Sequence, residues 1–239
     1  IINWYITLIV IIAALTVLYF TDLLFNLYLI FRSFSESPEI VVTPEEIQLA
    51  DTQREWPMYS IFCPLYKEWN VLPQFVTAIS KMDYPKDKLE LIVVDDGSTD
   101  DTWQEMLRYK DHPQVRIFQK ENGGKHTAVN FGIDNTKADF ISCLDADSFV
   151  APDALKRMIN VFQKKPETMA VAPSLIVNKP KNILQYAQRV EYNMSTYNKR
   201  MLAYLGAIHV TPGPFSVYRK EVFQKIGKFR KAHNTEDQE

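Results

Sequence analysis

Leu91-Ile92-Val93-Val94 runs without a polar residue into Asp95-Asp96-Gly97-Ser98, and Phe140-Ile141-Ser142-Cys143-Leu144, apolar but for its serine, runs into Asp145-Ala146-Asp147. Each run is short, continuous and rich in β-forming residues, as a parallel strand covered on both faces must be. Each ends on acids. Carboxylates at the C-terminal ends of such strands point into the crevice where open α/β sheets bind ligands. Turn and cap chemistry accounts for Gly97 and Ser98, and for Asp100 or Asp101. It leaves the second acidic cluster, directly after a strand, unexplained. Carboxylates placed there suit a cation, a nucleotide, or both.

Outward from these runs the sequence alternates strand and helix. Strands are predicted over 59–63, 89–94, 115–119 and 139–144, and helices over 71–82, 101–109, 125–135 and 152–163. Leu72, Phe75, Val76 and Ile79 form one apolar stripe on the first of these helices, and Pro152 suits the opening of the last. This order predicts a mostly parallel sheet with helices on both faces. Residues 182–205 carry Ile183, Ala187, Val190, Met194, Tyr197, Met201 and Leu205 at alternating steps of three and four. That is one apolar helical face, which could lie along a membrane surface or pack on the core.

Residues 1–21 contain no charge, and about 20 apolar residues cross a bilayer. The basic start and short apolar core of a secretory signal are missing. Residues 1–31 are therefore expected to form a transmembrane helix in contact with the lipid bilayer, with Asp22 at an interface or, in a long helix, facing other protein; the lack of a basic partner in the segment favours the interface. Residues 32–57, carrying Pro38, Pro44 and Pro57, read as a linker with a short helix over 45–51 after Thr43-Pro44. Residues 58–239 remain for one catalytic domain. Lysine and arginine number 27 against 29 acids, so no bulk attraction to nucleic acid is encoded. Cys63 and Cys143 fall inside predicted strands, as small buried residues. Such cysteine usage suits a reducing compartment.

Gly123-Gly124-Lys125 places two glycines and an ammonium at a helix start. Free N–H groups and partial positive charge there suit a phosphate; the alternative is a solvated lysine beside a glycine turn. Asp145 and Asp147 suit Mg²⁺ or Mn²⁺, since such ions take few carboxylates and complete their shell with phosphate and water.

These motifs, Val94-Asp95-Asp96-Gly97-Ser98-Thr99-Asp100, Gly123-Gly124-Lys125, Asp145-Ala146-Asp147-Ser148 and Thr235-Glu236-Asp237, occur in this order. From about residue 59 onward the chain resembles family 2 glycosyltransferases. It is most similar to the membrane-bound branch with poly-N-acetylglucosamine, hyaluronan and cellulose synthases. The resemblance implies a GT-A-like fold, a UDP-sugar donor (N-acetylglucosamine favoured), a carbohydrate acceptor, and inversion at the anomeric carbon. It implies a nucleobase wall at Tyr66 and Glu68 of Pro64-Leu65-Tyr66-Lys67-Glu68, with Lys67 where the family has Asn. Asp95 or Asp96 would bond the uracil, Asp145 the ribose side or metal, and Asp147 the metal. Asp237 would be the general base, unless Thr235-Glu236-Asp237 is only an acidic tail.

The loop Thr211-Pro212-Gly213-Pro214-Phe215-Ser216 would bind acceptor through Gly213, Pro214, Phe215 and Ser216, or would be a plain proline-rich connection. Sugar nucleotides are made in the cytosol, which implies a catalytic domain on the cytoplasmic side of the membrane. The family's Gln-x-x-Arg-Trp motif and later membrane helices do not occur in the sequence, so the chain reads as a C-terminally truncated piece. Two other readings are a transferase onto a lipid phosphate and a non-catalytic, membrane-tethered nucleotide- or glycan-binding subunit. Intact Asp145, Asp147 and Asp237 argue against the second.

Overall fold

A computed structural model describes residues 4–35, 40–146, 148–205, 208, 211 and 213–231. Asp147, Pro212 and Thr235-Glu236-Asp237 therefore lie outside the described residues. The chain divides into two compact units, Ile1–Ile40 with Ser174–Ile208, and Val41–Pro173 with His209–Glu239.

The smaller unit holds helices α1 (Trp4–Ser35) and α7 (Ile183–Tyr204), which contact one another. Within α1, Trp4–Arg32 is long and apolar enough to cross a membrane. Three of its polar side chains are turned back onto the helix. Thr16 and Thr21 hydroxyls donate to the Ile12 and Val17 carbonyls at 2.8 Å, and the Asn26 amide donates to the Asp22 carbonyl at 2.9 Å. Such bonds hide hydroxyl and amide groups that apolar surroundings would penalise. Helix α7 begins at Asn182, whose side chain accepts the Gln185 N–H at 2.9 Å, the bond expected of an N-cap.

The larger unit begins with α2 (Pro44–Gln53), β1 (Tyr59–Leu65), α3 (Leu72–Ser80), β2 (Leu89–Asp96) and α4 (Thr102–Leu107). It continues through β3 (Val115–Lys120), α5 (Lys125–Asn135), β4 (Phe140–Cys143), α6 (Ala154–Lys164) and β5 (Ala170–Val171), then β6 (Val217–Arg219) and α8 (Glu221–Ile226). Among the described residues one sheet forms in the order β3-β2-β1-β4-β6-β5. Strands β1 to β4 pair in parallel, whereas β6 runs antiparallel to β4 and to β5. The parallel half is as the apolar runs predict. The antiparallel edge has strands of two and three residues, too short to show a period of their own.

All eight residues of β2 are buried, and alternation divides the central strands between two cores. Ile61, Cys63, Leu65, Leu91 and Val93 pack with the α3 stripe and with Leu155, Ile159 and Phe162 of α6. Phe62, Ile92, Val94 and Ile141 pack with Ala128, Val129 and Ile133 of α5 and with Phe223 of α8. Burial pushes the Cys63 thiol well above its ordinary pKa, which suits a packing residue rather than a nucleophile.

Helix α6 starts two residues later than its proline suggests. The Pro152 carbonyl instead accepts the Asp83 N–H at 2.9 Å. The stretch around α2 is fastened to the sheet unit. Ile47, Ala50 and Trp56 are buried, and a capping box joins Thr43 to Glu46. Lys156 of α6 sits 2.9 Å from Asp51 and 2.7 Å from Asp83, and Asp51 also accepts the Trp56 indole N–H at 2.8 Å. Burial works against the Lys156 ammonium, but the Asp83 and Asp51 bonds outweigh it and raise its pKa.

Lys156→Ala is expected to leave both carboxylates without their shared cation. Stability should fall by about 1–3 kcal/mol in chemical denaturation, with faster amide exchange over α2. An unchanged midpoint with unchanged exchange would contradict this role.

Candidate active site

The parallel register sets the site. Leu65 lies opposite Asp95 and Phe62 opposite Cys143, so β1, β2 and β4 release their following residues at one edge of the sheet. Asp95 and Asp96 are the last two residues of β2, and both are buried. The Asp95 Oδ1 accepts the Ser98 N–H at 3.0 Å, and its Oδ2 accepts the Gln119 amide at 2.9 Å.

Asp96 is more heavily engaged. Its Oδ1 accepts Lys120 Nζ at 2.5 Å and the Gly123 N–H at 3.1 Å, while Oδ2 accepts the Gly124 N–H at 2.8 Å. Its carbonyl accepts the Asn122 amide at 2.9 Å, and Lys120 donates onward to the Thr127 hydroxyl at 2.8 Å. Burial raises the Asp96 pKa, but the Lys120, Gly123 and Gly124 donors overcome it and hold the carboxyl below its ordinary range. An ionised Asp96 therefore ties down the glycine loop that precedes α5.

That loop and the turn after β2 each need a glycine. Gly97 has φ +73° and Gly124 φ +90°, values that favour a residue without Cβ. The loop delivers Lys125 as the first residue of α5. Lys125 Nζ lies 2.9 Å from Asp145 Oδ1, with about a third of each side chain exposed, 35% and 36%. An accessible cation and an accessible carboxylate thus meet just beyond β4.

Tyr66 follows β1 and is 48% exposed. Lys67 beside it takes φ +59°, a left-handed conformation that Asn tolerates better than Lys. Its N–H donates to the Ser98 hydroxyl at 2.9 Å, which joins this turn to the β2 turn. Its ammonium lies 5.1 Å from the Tyr66 ring centre, within cation–π reach. Glu68 is exposed. Further along, the Phe215 N–H donates to the Cys143 carbonyl at 2.7 Å, which sets this loop beside the end of β4. Phe215 and Ser216 are buried, whereas Gly213 and Pro214 are half-buried.

The structure thus brings Tyr66, Glu68, Asp95, Asp96, Lys125, Asp145 and the 213–216 loop to the strand ends of one sheet. Lys120 and Thr127 belong to the same network and were not singled out from sequence. What joins them is register, which the sequence alone does not display: Asp96 pairs across the ladder with Lys120, and Asp95 with Gln119. Among the described residues no group of three or more His, Cys, Asp or Glu could hold a metal ion. The donor set still fits Mg²⁺ or Mn²⁺. Asp145 offers a hard, accessible oxygen, and such ions take only one or two carboxylates when phosphate and water supply the rest.

Residues 60–227 match the model of Glycosyl transferase family 2. Over 180 residues the chain is 29% identical to a poly-beta-1,6-N-acetyl-D-glucosamine synthase of Staphylococcus epidermidis, covering 74% of this chain and 43% of that protein. A protein of the same name from Staphylococcus aureus (strain MSSA476) is 29% identical over 174 residues, covering 72% and 42%. The chain thus spans less than half the length of these curated relatives.

Two solved structures share the fold. One is a mannosyltransferase from Pyrobaculum calidifontis in complex with GDP-Man and Mn²⁺, with TM-score 0.68 and 24% identity, covering 95% of this chain and 60% of that one. The other is a Staphylococcus aureus TarS fragment in complex with UDP-GlcNAc, with TM-score 0.59 and 20% identity, covering 76% and 51%. With most of its length matched by the family model, on a GT-A-like sheet whose strand ends gather the acidic and glycine motifs, the chain belongs to glycosyl transferase family 2.

Proposed function

We propose that this chain is the donor-binding and catalytic part of a membrane-anchored, inverting glycosyltransferase. It transfers N-acetylglucosamine from UDP-N-acetylglucosamine to a growing polysaccharide or other glycan. Residues 1–31 are the membrane segment and 58–239 carry the catalytic domain, which faces the cytoplasm; of the 32–57 connection, the part from Val41 packs with the sheet unit. Family membership and the two similar synthases support this choice of donor and product. The observation that carries the reading is the convergence of the Asp96-held glycine loop, Lys125 and Asp145 at the strand ends.

In this reading the uracil lies against Tyr66 and Glu68 and is bonded from the Asp95-Asp96 pair. Lys125 and the start of α5 offset the diphosphate charge. Asp145 and Asp147 would hold Mg²⁺ or Mn²⁺, which when bound supplies Lewis-acid stabilisation of the leaving diphosphate. The loop of Gly213, Pro214, Phe215 and Ser216 positions the acceptor. Asp237 accepts the proton of the acceptor hydroxyl as its oxygen bonds to the anomeric carbon. The bond from that carbon to the diphosphate oxygen breaks in the same displacement, UDP departs with the electron pair, and the anomeric centre inverts.

UDP affinity should therefore rise on adding Mn²⁺ or Mg²⁺, and Asp147→Ala should abolish the rise. Calorimetry that gives equal UDP binding with metal and with chelator would overturn the metal-assisted donor site.

A further inference from the structure

The N-terminal half of α7 turns an apolar strip to solvent. Ile183 is 89% exposed, Val190 58% and Met194 61%, and Ala187 between them is exposed as well. These four recur at steps of four, three and four, so they share one helical face. Gln185 and Gln188 fall on the opposite side. Lys179 and Lys181 are exposed just before the helix begins, and within this half Arg189 is exposed on the side away from the strip and Glu191 nearer to it. The helix belongs to the same compact unit as α1 and contacts it.

We propose that α7 lies in the headgroup layer of an anionic membrane leaflet, as an in-plane lipid contact beside the crossing helix α1. The proposal rests on the reading of α1 as a membrane anchor. An apolar strip with cations at its start is a pattern of a helix at a lipid interface, where the strip enters the acyl boundary and the cations reach the headgroups. Lysine and arginine at such a surface are drawn to acidic lipids. The charge of this half selects that occupant over a neutral protein surface. The apolar α1 in the same unit keeps a bilayer within reach of the strip.

The test uses the full-length protein reconstituted in phosphatidylcholine vesicles with and without phosphatidylglycerol. A fluorophore is attached at Ile183→Cys, Val190→Cys, Gln185→Cys or Gln188→Cys, and the unsubstituted protein, with its native Cys63 and Cys143, sets the background. Nitroxide lipids labelled near the headgroup should quench the probes at 183 and 190 several-fold more than those at 185 and 188. The difference should shrink without phosphatidylglycerol, and also in Lys179→Glu and Lys181→Glu variants.

Equal quenching on the two faces would overturn the proposal. So would probes at 183 and 190 that are shielded from water but untouched by lipid nitroxides, since protein would then cover the strip. Quenching indifferent to phosphatidylglycerol would overturn the anionic preference. A probe at Leu15→Cys, read with deep-lying nitroxides, reports on α1 by itself. Quenching there with none at 183 overturns only the α7 contact, whereas none at either position overturns the anchor as well.

Discussion

Asp237→Asn is expected to cut sugar transfer by ~10²-fold or more, the typical scale of general-base catalysis, while UDP-sugar affinity stays nearly unchanged. Asparagine keeps the size and most hydrogen bonds of aspartate but cannot accept the acceptor proton. Lys125→Ala should divide the effects differently. It removes the ammonium that stands 2.9 Å from Asp145 and so weakens donor binding through the lost phosphate contact. Transfer and affinity would be measured side by side on both variants in the full-length protein. Transfer at the wild-type rate by Asp237→Asn would assign the base elsewhere and leave Thr235-Glu236-Asp237 as a tail.

The second large effect is expected at a residue with no side chain. A Cβ on Gly97 would stand 2.6 Å from the Asn122 backbone nitrogen, at φ +73°. Left-handed backbone alone costs a residue with Cβ roughly 1–2 kcal/mol, and backbone cannot swing aside as a flexible side chain can. Asn122 belongs to the loop that Asp96 ties through Gly123 and Gly124, so moving it loosens the start of α5. Gly97→Ala should weaken UDP binding about tenfold or more, about 1.4 kcal/mol per factor of ten. Calorimetry with wild-type affinity would mean that the loop can shift without affecting the donor.

Much of the α/β half was legible because its signals are local. The unbroken apolar run into Asp95 defines β2, and Gly124 and Lys125 define the start of α5. Thr43 and Pro44 mark α2. What was not legible arises from contacts between distant segments. Strands β5 and β6 exist because β4 leaves an edge on which three residues can pair, and so short a run shows no period. The attachment of α2 depends on Lys156 reaching Asp51 and Asp83, groups that look like ordinary surface charges in sequence.

The site divides in the same way. Acids after strands and a glycine pair before a lysine could be read directly. That Asp96 would be occupied by Lys120, Gly123 and Gly124 could not. The reason is physical: the ladder between β2 and β3 fixes which residue faces Asp96, and register is a tertiary property. The strained Lys67 turn is similar, since a lysine carries no local preference for positive φ.

The most direct measurement is UDP release by the full-length protein in membranes, supplied in turn with UDP-N-acetylglucosamine, UDP-glucose and GDP-mannose in the presence of Mg²⁺. The proposed activity predicts release from UDP-N-acetylglucosamine well above the other donors, with incorporation of the sugar into a glycan and loss of both signals in Asp237→Asn. Release no greater than from the Asp237→Asn protein with every donor would contradict it.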